Sequence, residues 1–437
     1  MARRLSARPL AFALALPFLP CAATFAAGSD ALPVDAEHLS LATALDVLQE
    51  RSREVRSGRR AVDAAQAGVL VAGARPNPNL TLQTSNVNPQ VGIGPGGPRD
   101  KAVDTQVRLD YLVERGQKRD LRLASASELE KASQQDLTDI LRTQRGAVAN
   151  AYYDLLLAQE KGRLARETAE LFNTTLAASE RRLAAGDVAV TDVNRIRVDA
   201  LRALGDERQA AVERRHAQAG LATLLAIEGE AARIVATDAW PALESPRIAG
   251  SNDEIVAQRP EVRAARARVS AAQYGRELAR SLRTRDVSVG MTYDHWPQNG
   301  NNLQGTGNSY GISVSVPLLL GNNYDGEIAR AEVDWSAALD ALDKANALAR
   351  ADLEQTTAFL DAARDRLARY DLELLIAAQR VADAQEFAYR KGAIGVLDLL
   401  DARRTLRTVQ QEAAAARADY AKTLAAWRFA RPTTASD

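Results

Sequence analysis

Two aspartates three residues apart, Asp398 and Asp401, are the residues of this chain best spaced to act on charge. A separation of three puts both carboxylates on one face of a helix. In a symmetric assembly each recurs in every copy, giving two stacked negative rings wherever that face lines a constriction. Such rings favour cations and repel anions. The alternative is a pair of solvated helix acids neutralised by Arg403 and Arg404 nearby. Little else offers chemistry. His38, His216 and His295 lack ligand spacing and read as surface or packing residues. There is no P-loop, dinucleotide fingerprint, nucleophile elbow or His-Glu-x-x-His motif. The Gly-rich run Gly92–Gly97 contains Pro95 and leads into a strand, which does not suit a phosphate. No catalytic residue, cofactor or metal site is expected, and the chain does not read as an enzyme.

The elements that must position these acids follow from composition and periodicity. Hydrophobic residues make up 46% of the 437, but aromatics only 5%, so Ala, Leu and Val dominate. That mixture favours long, closely packed helices. Basic and acidic residues number 56 each, a balance that does not suggest nucleic-acid binding. Arg3, Arg4 and Arg8, the apolar run Leu10–Leu19 and the small residues Ala22–Ala27 have the form of a secretory signal. Cleavage near Ala26 would leave 53 basic and 56 acidic residues and no cysteine, since Cys21 lies in the leader. Pro20 stands where an acylated cysteine is preceded by a small residue, which argues against lipidation of Cys21. No later apolar run is long enough for a membrane helix, so entry into a membrane would require a β-barrel.

The chain is internally duplicated. Ser52-Arg-Glu-Val-Arg56 corresponds to Arg259-Pro-Glu-Val-Arg263, and Val62–Gln66 to Val269–Gln273, at an offset of 207. Gly116 and Gly321 are offset by 205, and Gly186 with Asp192 matches Gly392 with Asp398 at 206. Each half reads as a helix, two strands and two long helices. Leu353, Leu360, Leu367, Leu374, Val381 and Ala388 form a seven-residue seam, as do Leu399, Leu406, Ala413, Tyr420 and Trp427. On the helices alone a generic coiled-coil hairpin would suffice.

The strands decide otherwise. Val107, Leu109, Tyr111 and Val113 alternate with Gln106, Arg108 and Asp110. Val287, Val289, Met291 and Tyr293 alternate with Ser288, Gly290 and Thr292, and Tyr310, Ile312, Val314 and Val316 with Gly311, Ser313 and Ser315. Leu80 and Leu82 begin a shorter example. These lengths suit membrane-spanning strands or a one-sided soluble sheet, and the secretory signal favours the former. Four strands cannot close a membrane barrel, for which roughly eight is the minimum, so a membrane reading requires several chains. The polar loops Asn88–Lys101 and Pro297–Asn308 suit the exposed end of such a barrel.

At this point the whole chain resembles the TolC-type outer-membrane efflux proteins. The resemblance is most specific at the turns Gly186–Asp192 and Tyr389–Asp401. It implies a mainly α fold: long coiled-coil α-hairpins forming a periplasmic tunnel, with four strands per chain in a 12-stranded trimeric barrel in the outer membrane. It also implies a homotrimer that works with a periplasmic adaptor and an inner-membrane resistance-nodulation-division pump, in contact with outer-membrane lipid. By position, Asp398 and Asp401 would line the pore, Asp192 and Tyr389 would join the gate network, and Gly186 and Gly392 would mark the periplasmic tip. Where the family's best-known member has an arginine two residues after the second glycine, this chain has Ile394, so its closure must differ. Ala74-Arg-Pro-Asn-Pro-Asn-Leu80 resembles the heavy-metal branch, the partners of cobalt-zinc-cadmium pumps.

The layout expected is a signal peptide at 1–26, a first repeat at 27–229, a linker at 230–252, a second repeat at 253–430 and a flexible tail at 431–437. Strands are placed at about 79–87, 103–113, 285–296 and 309–318, with tips near 186–192 and 392–398. The function expected is passive conduction of exported solute, heavy-metal cations by the branch resemblance. The alternatives are a general drug, detergent or protein channel, and a periplasmic adaptor or envelope scaffold with a single hairpin.

Overall fold

The long helices are continuous because their sequences contain neither proline nor a run of β-branched residues. The computed structural model describes residues 35–85, 87, 103–244, 251–296 and 307–431. The leader with Cys21, the loop Asn88–Lys101, most of Pro297–Asn308, residues 245–250 of the linker and the tail beyond Arg431 lie outside these. The first half contains α1 (Leu41–Arg51), α2 (Arg53–Gly73), β1 (Asn79–Ser85), β2 (Asp104–Val113), α3 (Lys118–Ala184) and α4 (Val190–Leu225). The second contains α5 (Asn252–Gln258), α6 (Pro260–Ser281), β3 (Val287–Trp296), β4 (Gly307–Ser315), α7 (Asp325–Arg369), α8 (Leu375–Arg390) and α9 (Val396–Phe429). A π-helical turn, Tyr370–Leu374, joins α7 to α8. The 67 residues of α3 span about 100 Å at 1.5 Å per residue.

The duplicated motifs mark duplicated boundaries. Ser52 separates α1 from α2, and Arg259 separates α5 from α6, where Pro260 takes the first helical position. Both long helices start from a left-handed residue, Gln117 (φ 58°) and Tyr324 (φ 61°). These equivalent starts are 207 apart, so Gly116 and Gly321 are not equivalent: the β4–α7 connection is longer than the β2–α3 connection.

The four strands form one antiparallel meander in the order β1-β2-β3-β4. The β2–β3 pair joins the two halves, and β1 and β4 are the sheet edges. Register assembles pure rows across the sheet. Leu80, Leu109, Met291 and Ile312 lie side by side, as do Leu82, Val107, Tyr293 and Tyr310. The rows between them are Thr81, Arg108, Thr292, Gly311 and Gln83, Gln106, Asp294, Ser309. The apolar rows are bare: Tyr310 is 81% exposed, Ile312 80% and Leu82 70%. A sheet with one apolar face uncovered and both edges open is not a finished soluble structure. Among the described residues, no helix is long and apolar enough to cross a membrane.

Below the sheet, α3 packs against α2, α4, α6 and α9, while α7 packs against α6 and α9, and α8 against α9. Gly58 permits the close approach of α2 to α3, since a Cβ there would lie 2.9 Å from Leu137 Cδ1. The α9 seam is buried as its spacing predicts, with Leu399, Ala413, Tyr420 and Trp427 all enclosed. The α7–α8 seam holds through Leu353, Leu360 and Leu367 and then fails, leaving Leu374 and Val381 exposed. The reason is the π turn, whose extra residue rotates everything beyond it by roughly 100°. The residues of α8 that are buried are instead Ala378 and Ala382.

Two buried tyrosines fasten the connecting segments. Tyr152 of α3 donates to Leu39 O (3.1 Å) and accepts from Asp238 N (3.1 Å). Burial pushes its phenol well above the ordinary range, so it remains a neutral donor. Tyr420 of α9 donates to Ala242 O (3.2 Å) and accepts from Glu244 N (2.9 Å). Gln159 adds a two-point contact to Ala236, at 2.9 Å in each direction. The segment 234–244 buries Ile234 and Ala236 but forms no regular element of its own, and these side chains supply its backbone partners.

Candidate functional site

Both helical hairpins turn in the same way. After α3, Gly186 adopts φ 82° and Asp187 N returns to Arg182 O at 2.9 Å. After α8, Gly392 adopts φ 73° and Ala393 N returns to Ala388 O at 2.9 Å. This is a glycine-terminated helix end, left-handed at the glycine and closed by a bond spanning five residues. Any side chain at either position would be strained, which explains why glycine occurs at both tips.

Asp398 and Asp401 lie on the first turns of α9, both exposed. The Asp398 carboxylate accepts from Gly395 N at 3.3 Å, so it caps the start of α9. Asp401 has no hydrogen-bond or ion-pair partner among the described residues. The arginines that could have neutralised them are engaged elsewhere: Arg403 Nη2 binds Glu386 at 2.8 Å, and Arg404 binds Asp199. Each chain therefore presents two uncompensated carboxylates at this end of α9.

Tyr389 and Asp192 do not meet within the chain. The Tyr389 hydroxyl accepts from Arg182 Nη1 at 3.2 Å, a bond that ties the second hairpin to the first. Asp192, half-buried in the first turn of α4, has no side-chain partner among the described residues. Ile394 lies in the turn between α8 and α9, where the cation present is Lys391, with its ammonium over the Phe387 ring.

The strongest links between the hairpins lie farther from the tips and were not foreseen. Asp199 of α4, nine-tenths buried, pairs with Arg404 of α9. Asp206 pairs with Arg407 at 2.8 Å, and Asp154 of α3 pairs with Lys422. In all three the cation is on α9 and the acid on the first hairpin. The first of them lies beside an apolar cluster of Ala169, Phe172, Ile196, Ala200, Ala203 and Leu400, which joins α3, α4 and α9, whereas the Asp154–Lys422 pair lies far up the same helices. A signal was available: Asp192, Asp199 and Asp206 recur every seven residues, a stripe along one face of α4. Among the described residues, no group of His, Cys, Asp and Glu in one chain could hold a metal ion.

Comparison with known proteins agrees with this geometry. The profile of the family described as "Outer membrane efflux protein" matches residues 44–226 and again 252–430. The cobalt-zinc-cadmium resistance protein CzcC of Cupriavidus metallidurans is 24% identical over 375 residues, covering 84% of each chain. The pyoverdine export outer membrane protein OpmQ of Pseudomonas aeruginosa is 26% identical over 386 residues, covering 84% of this chain and 81% of that one. A crystal structure of a membrane protein from Pseudomonas aeruginosa superposes with a TM-score of 0.75 at 18% identity, over 89% of this chain and 93% of that one. The double profile match agrees with the duplication, and the superposition shows the same fold: the chain belongs to the outer membrane efflux protein family.

Proposed function

We propose that three copies of this chain close one 12-stranded barrel in the outer membrane and conduct exported cations passively through a periplasmic helical tunnel. The observation that carries this is the sheet, with both edges unpaired and its apolar face bare. In lipid every strand edge must be paired, so β4 of one copy must meet β1 of the next. The internal joints indicate how. Within the chain, β2 pairs with β3, α3 packs on α6, and α3 packs on α9. Repeating these between copies pairs β4 with β1, places α7 against α2, and sets α7 and α8 against α4. The surfaces required are apolar and exposed: Leu70 and Val71 on α2, Val333, Leu348 and Phe359 on α7, Val381 and Phe387 on α8, and Val198 and Leu201 on α4.

In this assembly Asp398 and Asp401 recur threefold at the tunnel tip, where their rings favour cations. The inner-membrane pump, held to the tip by the adaptor, supplies the energy, and the chain is a conduit rather than an enzyme. The heavy-metal reading draws on Ala74–Leu80 and on the name of CzcC. Zinc, cobalt and cadmium sensitivity on deletion of the gene, with unchanged tolerance of dyes and detergents, is the expected result. The reverse pattern would make it a general efflux channel. For the tip, Asp398→Ala plus Asp401→Ala is expected to lower the cation-to-anion permeability ratio about threefold or more in planar bilayers. An unchanged ratio would exclude these two residues from the conducting path.

A further inference from the structure

The four described strands contain one arginine, Arg108, and no lysine. It lies on the polar face, the side opposite the bare apolar rows. Lipid must take the apolar side, so the polar side faces the lumen. The acids on that face are Asp104, Asp110 and Asp294, with Thr, Ser, Gly, Asn and Gln filling most other positions. Among the described strand residues Arg108 is therefore the one Arg or Lys on a face whose other charged groups include Asp104, Asp110 and Asp294.

Its position is fixed. Arg108 Nε lies 3.0 Å from Asp110 Oδ1 and 2.8 Å from Asp110 Oδ2, and Nη2 lies 2.9 Å from Oδ1. Two residues apart on one strand, the pair lies flat along the wall. The floor beneath the pair is Gly290, opposite Asp110 on β3, with Ser313 beyond it on β4. A Cβ at Gly290 would lie 2.4 Å from Asp110 Oδ1, 2.5 Å from Ser313 Oγ and 3.5 Å from Arg108 Nη2. The absent side chain of Gly290 is the seat in which the pair rests. Gly290 is buried while its neighbours along β3 are not, because the pair covers it.

We infer that Arg108, held against the wall by Asp110 over Gly290, determines the charge selectivity of the barrel lumen. Threefold repetition gives a ring of compensated charge at one height. While the pair is intact, the guanidinium neither projects into the lumen nor adds net charge. Loss of Asp110 frees three guanidinium groups to project inward, and the ring becomes cationic. Loss of Arg108 exposes three carboxylates, and the wall becomes wholly acidic. The ring is distinct from the tip aspartates, and while the pair is intact it leaves the lumen charge to Asp104 and Asp294. The inference rests on the channel reading above.

The test uses the full chain in planar bilayers under a potassium chloride gradient. Asp110→Asn is expected to shift the potassium-to-chloride permeability ratio toward chloride, and Arg108→Gln toward potassium, each by about threefold or more. The double variant is expected to return to the wild-type ratio, because opposite charges are removed together. Gly290→Thr is expected to lower conductance by lifting the pair into the lumen. All variants are also recorded with Asp398→Ala plus Asp401→Ala, so that the tip cannot mask the barrel. Channels whose ratio is the same in both single variants, or moves in the same direction in both, overturn the inference and leave the channel reading intact. Absence of conductance in every form, wild type included, overturns both.

Discussion

Replacing Arg404 and Arg407 together with alanine is expected to loosen the second hairpin from the first without disturbing the barrel. Asp199 is nine-tenths buried, and its cation comes from α9 alone. Removing that cation strands a carboxylate beside Ile196, Ala200 and Leu400. Breaking a fully buried pair costs roughly 3–5 kcal/mol, but Arg404 is half exposed, so about 2 kcal/mol is expected here. In the Arg407–Asp206 pair the acid is half exposed, so this pair adds about 1 kcal/mol. Asp199 lies about 14 Å from the start of α4, so the lost energy is local to the tip half of the tunnel. Hydrogen exchange should therefore rise in α4 and the first half of α9 and stay unchanged in α2, α6 and the strands. Uniform loss of protection would mean that the pairs support the whole fold, and no change would mean that Phe172, Ile196 and Leu400 suffice. Asp199→Leu with Arg404→Leu should restore most of the protection, because an apolar pair of similar volume removes the stranded charge. With no arginine at position 394, these pairs are the main electrostatic tie between the hairpins, and the double alanine variant should also show a higher resting conductance.

Tyr420→Ala is expected to be the most destabilising single change at a core position named above. The ring is fully buried among Leu360, Leu367, Leu424 and Trp427, and its hydroxyl holds the backbone of Ala242 and Glu244. Truncating an aromatic in such a site costs about 4 kcal/mol through lost burial and the cavity left behind. Tyr420→Phe keeps the ring and strands one carbonyl and one N–H, at about 1–2 kcal/mol. Thermal unfolding in detergent should therefore rank wild type above Phe and Phe well above Ala. Equal losses for Phe and Ala would assign the whole effect to the hydroxyl. Fluorescence of Trp427, which packs in the same cluster, offers a local readout, since only the alanine variant opens space beside it.

The duplicated layout and the hairpin tips were legible because each depends on local chemistry. Glycine at 186 and 392 is required by a left-handed backbone, and an alternating apolar run is required by a sheet with one greasy face. The α9 seam was legible for the same reason: a seven-residue repeat in a straight helix keeps one face inward. The α7–α8 seam was misread beyond Leu367 because Tyr370–Leu374 carries no distinctive local signal for a π turn. The equivalence of Gly116 and Gly321 failed because a shared offset between motifs says nothing about loop length.

The sequence by itself determined the order of long helices and strands, the duplication, the polar and apolar faces of each strand, and the family. All of these follow from residue type and spacing along one chain. Only the tertiary structure decided which charges meet. Arg403 and Arg404 were equally placed to neutralise Asp398 and Asp401, but helix packing sends them to Glu386 and Asp199. Tyr389 was placed with Asp192 in the gate network by resemblance alone, and the packed hairpins give its hydroxyl Arg182 as a partner within the chain. Asp110, Gly290 and Ser313 come from three strands, and nothing in their local sequences indicates that one ion pair rests across them. The physical reason is range: backbone geometry and burial periodicity act over a few residues, whereas an ion pair depends on which two surfaces the packed core brings within about 4 Å.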